Sequence, residues 1–435
     1  MNDSLLKSRI QECREIRAAR RKEAYESVSA THGRDVRREL ELLYDDYGEE
    51  IYLWLAGLWD ARTGGFYYSN SARDNEGFLP DIESTVQALR LTEATGLFPS
   101  SRGGWKEFLP EEMKKGLLSF ATGLQSKRDG FFYHPQWGEN IGLERKGRDL
   151  GWATDLIQNL GARPLYDTPN GVTGSLGAPE TALKGSVTES ATAASPDYLR
   201  TLADFKDFLD SLDFSLPYYI GNKLNALKCQ ISAAGKDYTD LFIKYINEIQ
   251  NPETGLWGDG VSYVTVNGFF KIASTASQLG YRIEYPLEAL RSVMQMSLTP
   301  TLSEDSGHVC TTYNCWVAMA LIMKNLRVQA DGQMYERLRA ELLEMAPELL
   351  RITRSKIKVF RKPDGGFSFF PGHPAHINQG ALISVENVPE SDVNATCILT
   401  NGLTREIGSV LGINNLGIFE QEDGRLLLEL FDERK

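Results

Sequence analysis

Two neighbouring loops of this chain crowd together side chains that could do chemistry. HPQWGEN (134–140) and ERKGRD (144–149) place His134, Trp137, Glu139, Arg145, Arg148 and Asp149 between two helix-like runs. His134 or Glu139 can serve as a general acid or base. Arg145 and Arg148 can hold an anionic group such as carboxylate, sulfate or phosphate, and Tyr133 and Trp137 supply aromatic surface. The plainer reading is a turn held by Trp stacking and an Arg–Asp pair. A second group, His308, Cys310 and Cys315, has the side-chain types that bind zinc. The two cysteines are five apart on a probable helix and only partly share a face, so they read as small buried hydrophobes and no metal is assigned. PGHPAHINQG (371–380) carries His373 and His376 on a Pro/Gly loop, at a mouth or simply at the surface.

A repeat positions these residues. Four phrases, ARTGGFYY (61–68), KRDGFFYH (127–134), PETGLWGD (252–259) and KPDGGFSF (362–369), share a polar turn, a Gly and an aromatic. Trp59, Gln125, Gln250 and Phe360 stand five residues before Gly64, Gly130, Gly255 and Gly365. Apolar runs of helical period lie on both sides of each turn. The runs that follow are opened by Asp81, Asp149, Asn267 and Asp392 and closed by Gly96, Gly161, Gly280 and Gly408, as caps and C-terminal glycines do. Self-similarity at this scale marks a repeat architecture. A single helical hairpin cannot bury its own apolar face, whereas several packed in a ring can, with one helix of each pair lining the centre. The four helix starts then share one rim, where Asp81 with Glu83 or Asp149 could do acid–base work. The aromatics Phe66, Tyr67, Phe131, Tyr133, Trp257 and Phe369 read mostly as core, with Tyr67, Tyr133 and Tyr263 as cavity contacts.

Composition bounds the rest. With 42% hydrophobic residues the chain can bury a large core, and a net charge of −12 argues against a nucleic-acid partner. No run is long enough to span a membrane, and residues 1–23 lack the apolar core of a signal peptide. Five cysteines fit a reducing compartment, so the expected location is cytoplasmic. Residues 1–45 form a mixed-charge helical segment leaning on the ring or offering a basic contact, and 46–435 form the ring domain. The Gly/Ser/Thr/Ala-rich stretch 168–196 reads as a flexible insertion or a lid. No P-loop, dinucleotide fingerprint, EF-hand or HExxH string occurs, and no cofactor is expected.

LQSKRDGFFYHPQW, YINEIQNPETGLWGDG and PDGGFSFF, with the following runs DIESTVQALRLTEATG and ESDVNATCILTNGL, resemble the repeat of the terpenoid cyclase and protein prenyltransferase superfamily. The resemblance spans roughly residues 45–415 and implies an all-α fold, an α/α toroid with a central cavity. The D-x-D-D and D-D-x-x-D acids of the cyclases do not occur. Where prenyltransferases hold zinc, Asp305 and Cys310 are wrongly spaced and Asn394 replaces a ligand. Three functions follow: an enzyme acting on an isoprenoid, a carbohydrate-active hydrolase or lyase of similar toroid fold, or a binding protein that kept the ring. The expected partner is a small molecule, isoprenoid or carbohydrate. Asp149, His134 and Asp81 are the candidate catalytic residues; Tyr133, Trp137, Arg145, Arg148, Asn267, His308, His373 and Asp392 are the candidate ligand contacts.

Overall fold

The computed structural model describes residues 1–98, 104–181, 197–299, 307–414 and 416–433. It has 62% helix and 3% strand, which makes the chain all-α. The only ladders among the described residues are two antiparallel two-residue pairs, Trp59–Asp60 with Gly65–Phe66 and Ile377–Asn378 with Ala381–Leu382. No described helix is long and apolar enough to cross a membrane.

All four repeat phrases form turns between helices. Glu50–Gly57 leads through Gly64 to Ile82–Ala94, and Glu111–Gly123 leads through Gly130 to Leu143–Asn159. Lys236–Ile249 leads through Gly255 to Tyr263–Gln278. Gly332–Lys358 leads through Gly365 to Val393–Cys397, which continues by a π-helical turn, Ile398–Gly402, into Leu403–Leu411. Pro286–Leu298 and Cys310–Val328 form a further pair without the phrase.

The physics of the turn explains its sequence. Each of the four glycines has positive φ, from 66° to 118°, a region closed to most side chains. A Cβ would also strike neighbouring backbone: Gly116 from Gly64, Asp167 from Gly130, Ala289 from Gly255 and Glu50 from Gly365. The residue two after each glycine is buried, namely Phe66, Phe132, Trp257 and Phe367. Burial of each such ring stabilises the fold by roughly 1.5–3 kcal/mol. In the first and fourth copies that residue's N–H donates to a threonine on the following helix, Phe66 to Thr85 and Phe367 to Thr396. In the second and third, Gln125 and Gln250 donate instead to the turn carbonyls of Gly130 and Gly255.

Several sequence expectations are corrected. Asp81 and Asp392 do cap their helices, accepting from the backbone of Ser84 at 2.9 Å and Ala395 at 2.7 Å. Asp149 does not open a helix. Its helix begins six residues earlier at Leu143, with Gly142 as N-cap, because the ERKGRD stretch is already helical. Asn267 lies one turn inside a helix capped by Ser262 in a capping box with Thr265. Gly408 is mid-helix, and Gly412, with φ of 74°, ends that run. The core aromatic of the second turn is Phe132 rather than Phe131, because the phrase there has one glycine followed by two phenylalanines.

Residues 1–45 fold as two helices, Asp3–His32 and Arg34–Asp45, the first packed on the second and on Gln421–Asp432. Four of the five arginines of the first bond within the molecule. Arg9 pairs with Glu429, Arg14 with Glu49, and Arg17 with Glu49 and Asp423, while Arg21 donates to the Ile418 carbonyl. Of the 168–196 stretch, 168–181 is turn and loop; 182–196 lies outside the described residues.

Candidate functional site

The helices after the turns bring two charged groups side by side. The first is a buried cluster. Glu83, in the first turn of Ile82–Ala94, accepts from Arg145 at 3.0 Å and from Arg148 Nε at 2.8 Å. Gln87 and Asn378 also donate to it. Arg145 reaches one helical turn along its own helix to Asp149 at 2.5 Å. Its guanidinium lies 4.7 Å from the centre of the Trp137 ring. Trp137 stacks on His134 and donates from its indole to the Leu382 carbonyl. The Ile377–Leu382 hairpin, which follows the His373–His376 segment, thus covers this cluster.

Burial sets the protonation of the cluster. It opposes ionisation of Glu83, but hydrogen bonds and charge from Arg148, then Arg145, hold that carboxyl below its usual range. Burial pushes Asp149 up to about 6 against the pull of Arg145. It also raises Asp81, whose carboxylate is taken up by the Ser84 backbone and hydroxyl. Burial lowers His134, with Asp81 opposing. Its Nε2 lies 2.9 Å from the Pro80 carbonyl, so that nitrogen carries the proton, and buried Nδ1 has no partner. A neutral histidine with a bare Nδ1 is a proton acceptor by chemistry, but it is 3% exposed, too enclosed to meet a ligand without movement.

The second group lines a cavity of ≈ 740 Å³ between helices. Its wall is built from stripes at helical spacing: Gln87 and Arg90; Arg148 and Trp152; Tyr263, Asn267 and Lys271; Cys310 and Asn314; Asn394, Ile398, Asn401 and Arg405. Tyr263, Asn267 and Asn314 are hydrogen-bonded to one another, with Asn314 to Asn267 at 2.7 Å. His308 stacks flat on Phe369 at 5.3 Å and meets the Tyr263 ring edge-on. Burial lowers its pKa, and its Nδ1 is also unpartnered. The π turn sets Asn401 and Gly402 in the wall; Asn401 donates to the Arg90 carbonyl at 2.5 Å. Such turns inside helices are frequent at functional sites.

The electrostatics of that wall are one-sided. Arg90, Arg148, Lys271 and Arg405 line it, and no Asp or Glu does among the described residues. The three arginines pair behind the wall, with Asp155, Glu83 and Glu406. Lys271 has no ion-pair partner among the described residues. Its ammonium lies 5.0 Å from the Phe270 ring centre and 6.0 Å from that of Tyr218. Burial lowers its pKa; Cys310 opposes that shift and Arg148 adds to it.

Of the residues singled out in the sequence, Asp81, His134, Trp137, Arg145 and Asp149 meet in the buried cluster. Asn267 and His308 line the cavity, and Arg148 belongs to both. Asp392 borders the cavity by accepting the N–H of Phe369 at 2.6 Å. Tyr133 is turned away from it, with its hydroxyl on Asp129. His373 lies against Phe370 and its own Pro374 carbonyl. Glu139 pairs with Arg128 at the surface. Of the three tyrosines expected at the cavity, only Tyr263 lines it. Cys315 is wholly buried, bonded to the Thr311 carbonyl, while Cys310 faces the cavity. Among the described residues no three His, Cys, Asp or Glu side chains gather as a metal-ligand set; Asp305 lies outside them.

Sequence reasoning missed Lys271, Arg90, Trp152 and the π turn. The signal was the polar stripe Tyr263–Asn267–Lys271, spaced by four on a largely apolar helix. A second groove of similar size, between Pro286–Leu298 and Gly332–Lys358, is walled by the Arg291–Glu341 pair, Gln295, Thr299, Glu344 and two methionines.

No family model, curated protein or solved structure matches this chain. Its function must therefore be argued from the cavity itself.

Proposed function

We propose that this chain is a ring of helical hairpins, an α/α toroid of the terpenoid cyclase and prenyltransferase type, that binds a small anionic ligand with an apolar body in its central cavity. Three facts support the ring. The turn glycines of the first, third and fourth copies each press on backbone of the hairpin that follows in the ring, and for the fourth copy that is Glu50 of the first hairpin. The helices after the turns supply the cavity wall. The helix Gln421–Asp432 returns to pack on Glu50–Gly57 and on Asp3–His32.

One observation carries the ligand class. In a chain of net charge −12, this wall holds four basic side chains and no described carboxylate. An anion placed there meets Lys271 at once and the exposed edge of Arg148 beside it, while Trp152, Phe270 and Phe369 offer apolar and aromatic surface. Few convergent polar groups among aromatic walls is the usual composition of a ligand pocket. An isoprenoid phosphate belongs to this class. A sugar hydrolase would need two free acids in the cavity, and Glu83 and Asp149 are both clamped by arginine outside it.

A thermal-shift panel tests the reading. Alkyl, aryl and prenyl phosphates should stabilise the protein, by about 2.7 kcal/mol at a hundredfold excess over Kd. The matching neutral alcohols and neutral oligosaccharides should not. Equal stabilisation by the alcohols, or by the sugars alone, refutes an anion site.

A further inference from the structure

Lys271 is more than a counter-charge. Its stem is fixed by an unusually close helix crossing. Pro217–Ala234 packs on Tyr263–Gln278 more extensively than any other described pair of helices. Two glycines allow it: a Cβ on Gly221 would overlap Cβ of Lys271, and one on Gly268 would overlap Pro217. Backbone held this near to a side-chain stem restricts where its amine can go. The amine then lies between the aromatic faces of Phe270 and Tyr218, within the cavity wall, with no described carboxylate to hold its proton.

We propose that Lys271 forms an imine with an aldehyde or ketone bound in the cavity. A lysine becomes nucleophilic when it is desolvated against apolar surface or placed beside another cation, and this one has both surroundings. Burial, with Arg148 adding to it, shifts the balance from the ammonium toward the neutral amine. In the step itself the amine lone pair attacks the carbonyl carbon and the C=O electrons move to oxygen. A C=N bond then replaces the C=O bond, and the oxygen leaves as water with the two amine hydrogens. No oxidant or reductant takes part. Neutral His308, with its free Nδ1, and the Tyr263 hydroxyl stand in the same wall and can relay the proton from nitrogen to oxygen. Arg148 supplies a cation for an acidic group on the carbonyl compound.

This inference rests on the cavity being a ligand site, so the test separates the two. The full chain is incubated at neutral pH with 4-carboxybenzaldehyde or with its alcohol, 4-(hydroxymethyl)benzoate. Borohydride then reduces any imine to a stable amine, and the adduct is mapped by peptide mass spectrometry. The expected result is one adduct at Lys271, formed before any surface lysine is labelled, as a desolvated amine implies. It should be absent from Lys271→Arg and Lys271→Met, and the alcohol should slow it by competition. Lys271→Arg keeps the charge, so it should still bind the alcohol. Binding of the alcohol with labelling spread evenly over surface lysines overturns the imine and leaves the anion site standing. Failure of the wild-type protein to bind either compound, by calorimetry, overturns both.

Discussion

Arg145 and Lys271 sit on adjoining walls of one protein and show opposite ways of burying a cation. Arg145 is 1% exposed and is held between Glu83 and Asp149, with its face on Trp137. Its charge is matched inside the fold, so little is left for a ligand. Lys271 is half-buried with aromatic rings beside it and no described acid. A matched cation behaves as structure, because removing it strands two carboxylates out of water. An unmatched cation at a cavity is a standing demand for an anion or a reason to lose its proton. Residue type does not distinguish these roles; the partner does.

The largest effect should come from breaking the matched site. Arg145→Met leaves Asp149 without its cation and Glu83 with Arg148 alone, and should cost roughly 3–5 kcal/mol in chemical denaturation. A loss below about 1 kcal/mol would mean the cluster tolerates its negative charge and is not structural. Next comes Asp392, buried with no ion-pair partner among the described residues. It accepts two backbone N–H groups, yet burial pushes it up to about 7. For an acid whose folded pKa is raised above its unfolded value, the folded state holds a proton that the unfolded chain releases between pH 3.8 and about 7. Stability contributed by that proton is therefore present on the acid side and lost as pH rises through the window. Relative to Asp392→Asn, which keeps a capping side chain, the wild type should lose stability with rising pH, by at most ~1.4 kcal/mol per unit. A pH-independent difference between the two proteins would show that Asp392 titrates normally.

A smaller loss is expected at Asp81. Asp81→Ala removes a helix cap and should cost about 1 kcal/mol, read as a shift in the denaturation midpoint. A much larger loss would mean that Asp81 stabilises the buried cluster by more than its cap. The smallest change belongs to Lys271. Lys271→Met should leave stability within about 0.5 kcal/mol, because no pair is broken, while abolishing anion binding. If Lys271→Met instead unfolds the protein, the contrast with Arg145 fails.

Much of the scaffold was readable in the linear chain. The turn glycines and the caps Asp81 and Asp392 work through residues within a few positions, and local geometry depends on local sequence. The readings that failed did so for equally local reasons. Asp149 and Asn267 have the type of a cap, but helices there start at Gly142 and Ser262, and nothing in the residue type reveals which turn of a helix it occupies. Phe131 and Phe132 compete for one core position, and only packing shows that Phe132 wins.

What the sequence determined alone is the repeating unit. A positive-φ glycine followed two residues later by a buried aromatic admits few alternatives, and its recurrence forces hairpins that must pack on one another. What only the tertiary structure decided is which charges meet. Glu83 and Arg145 are far apart in sequence, as are Lys271 and Arg148. Electrostatic balance falls off over a few ångströms, so it belongs to neighbours in space. The chain order lists six conspicuous residues at 134–149; the fold pairs Arg145 with Glu83 and Asp149, sends Glu139 to Arg128 at the surface, and leaves Lys271, on an inconspicuous helix, as a cavity cation with no ion-pair partner among the described residues.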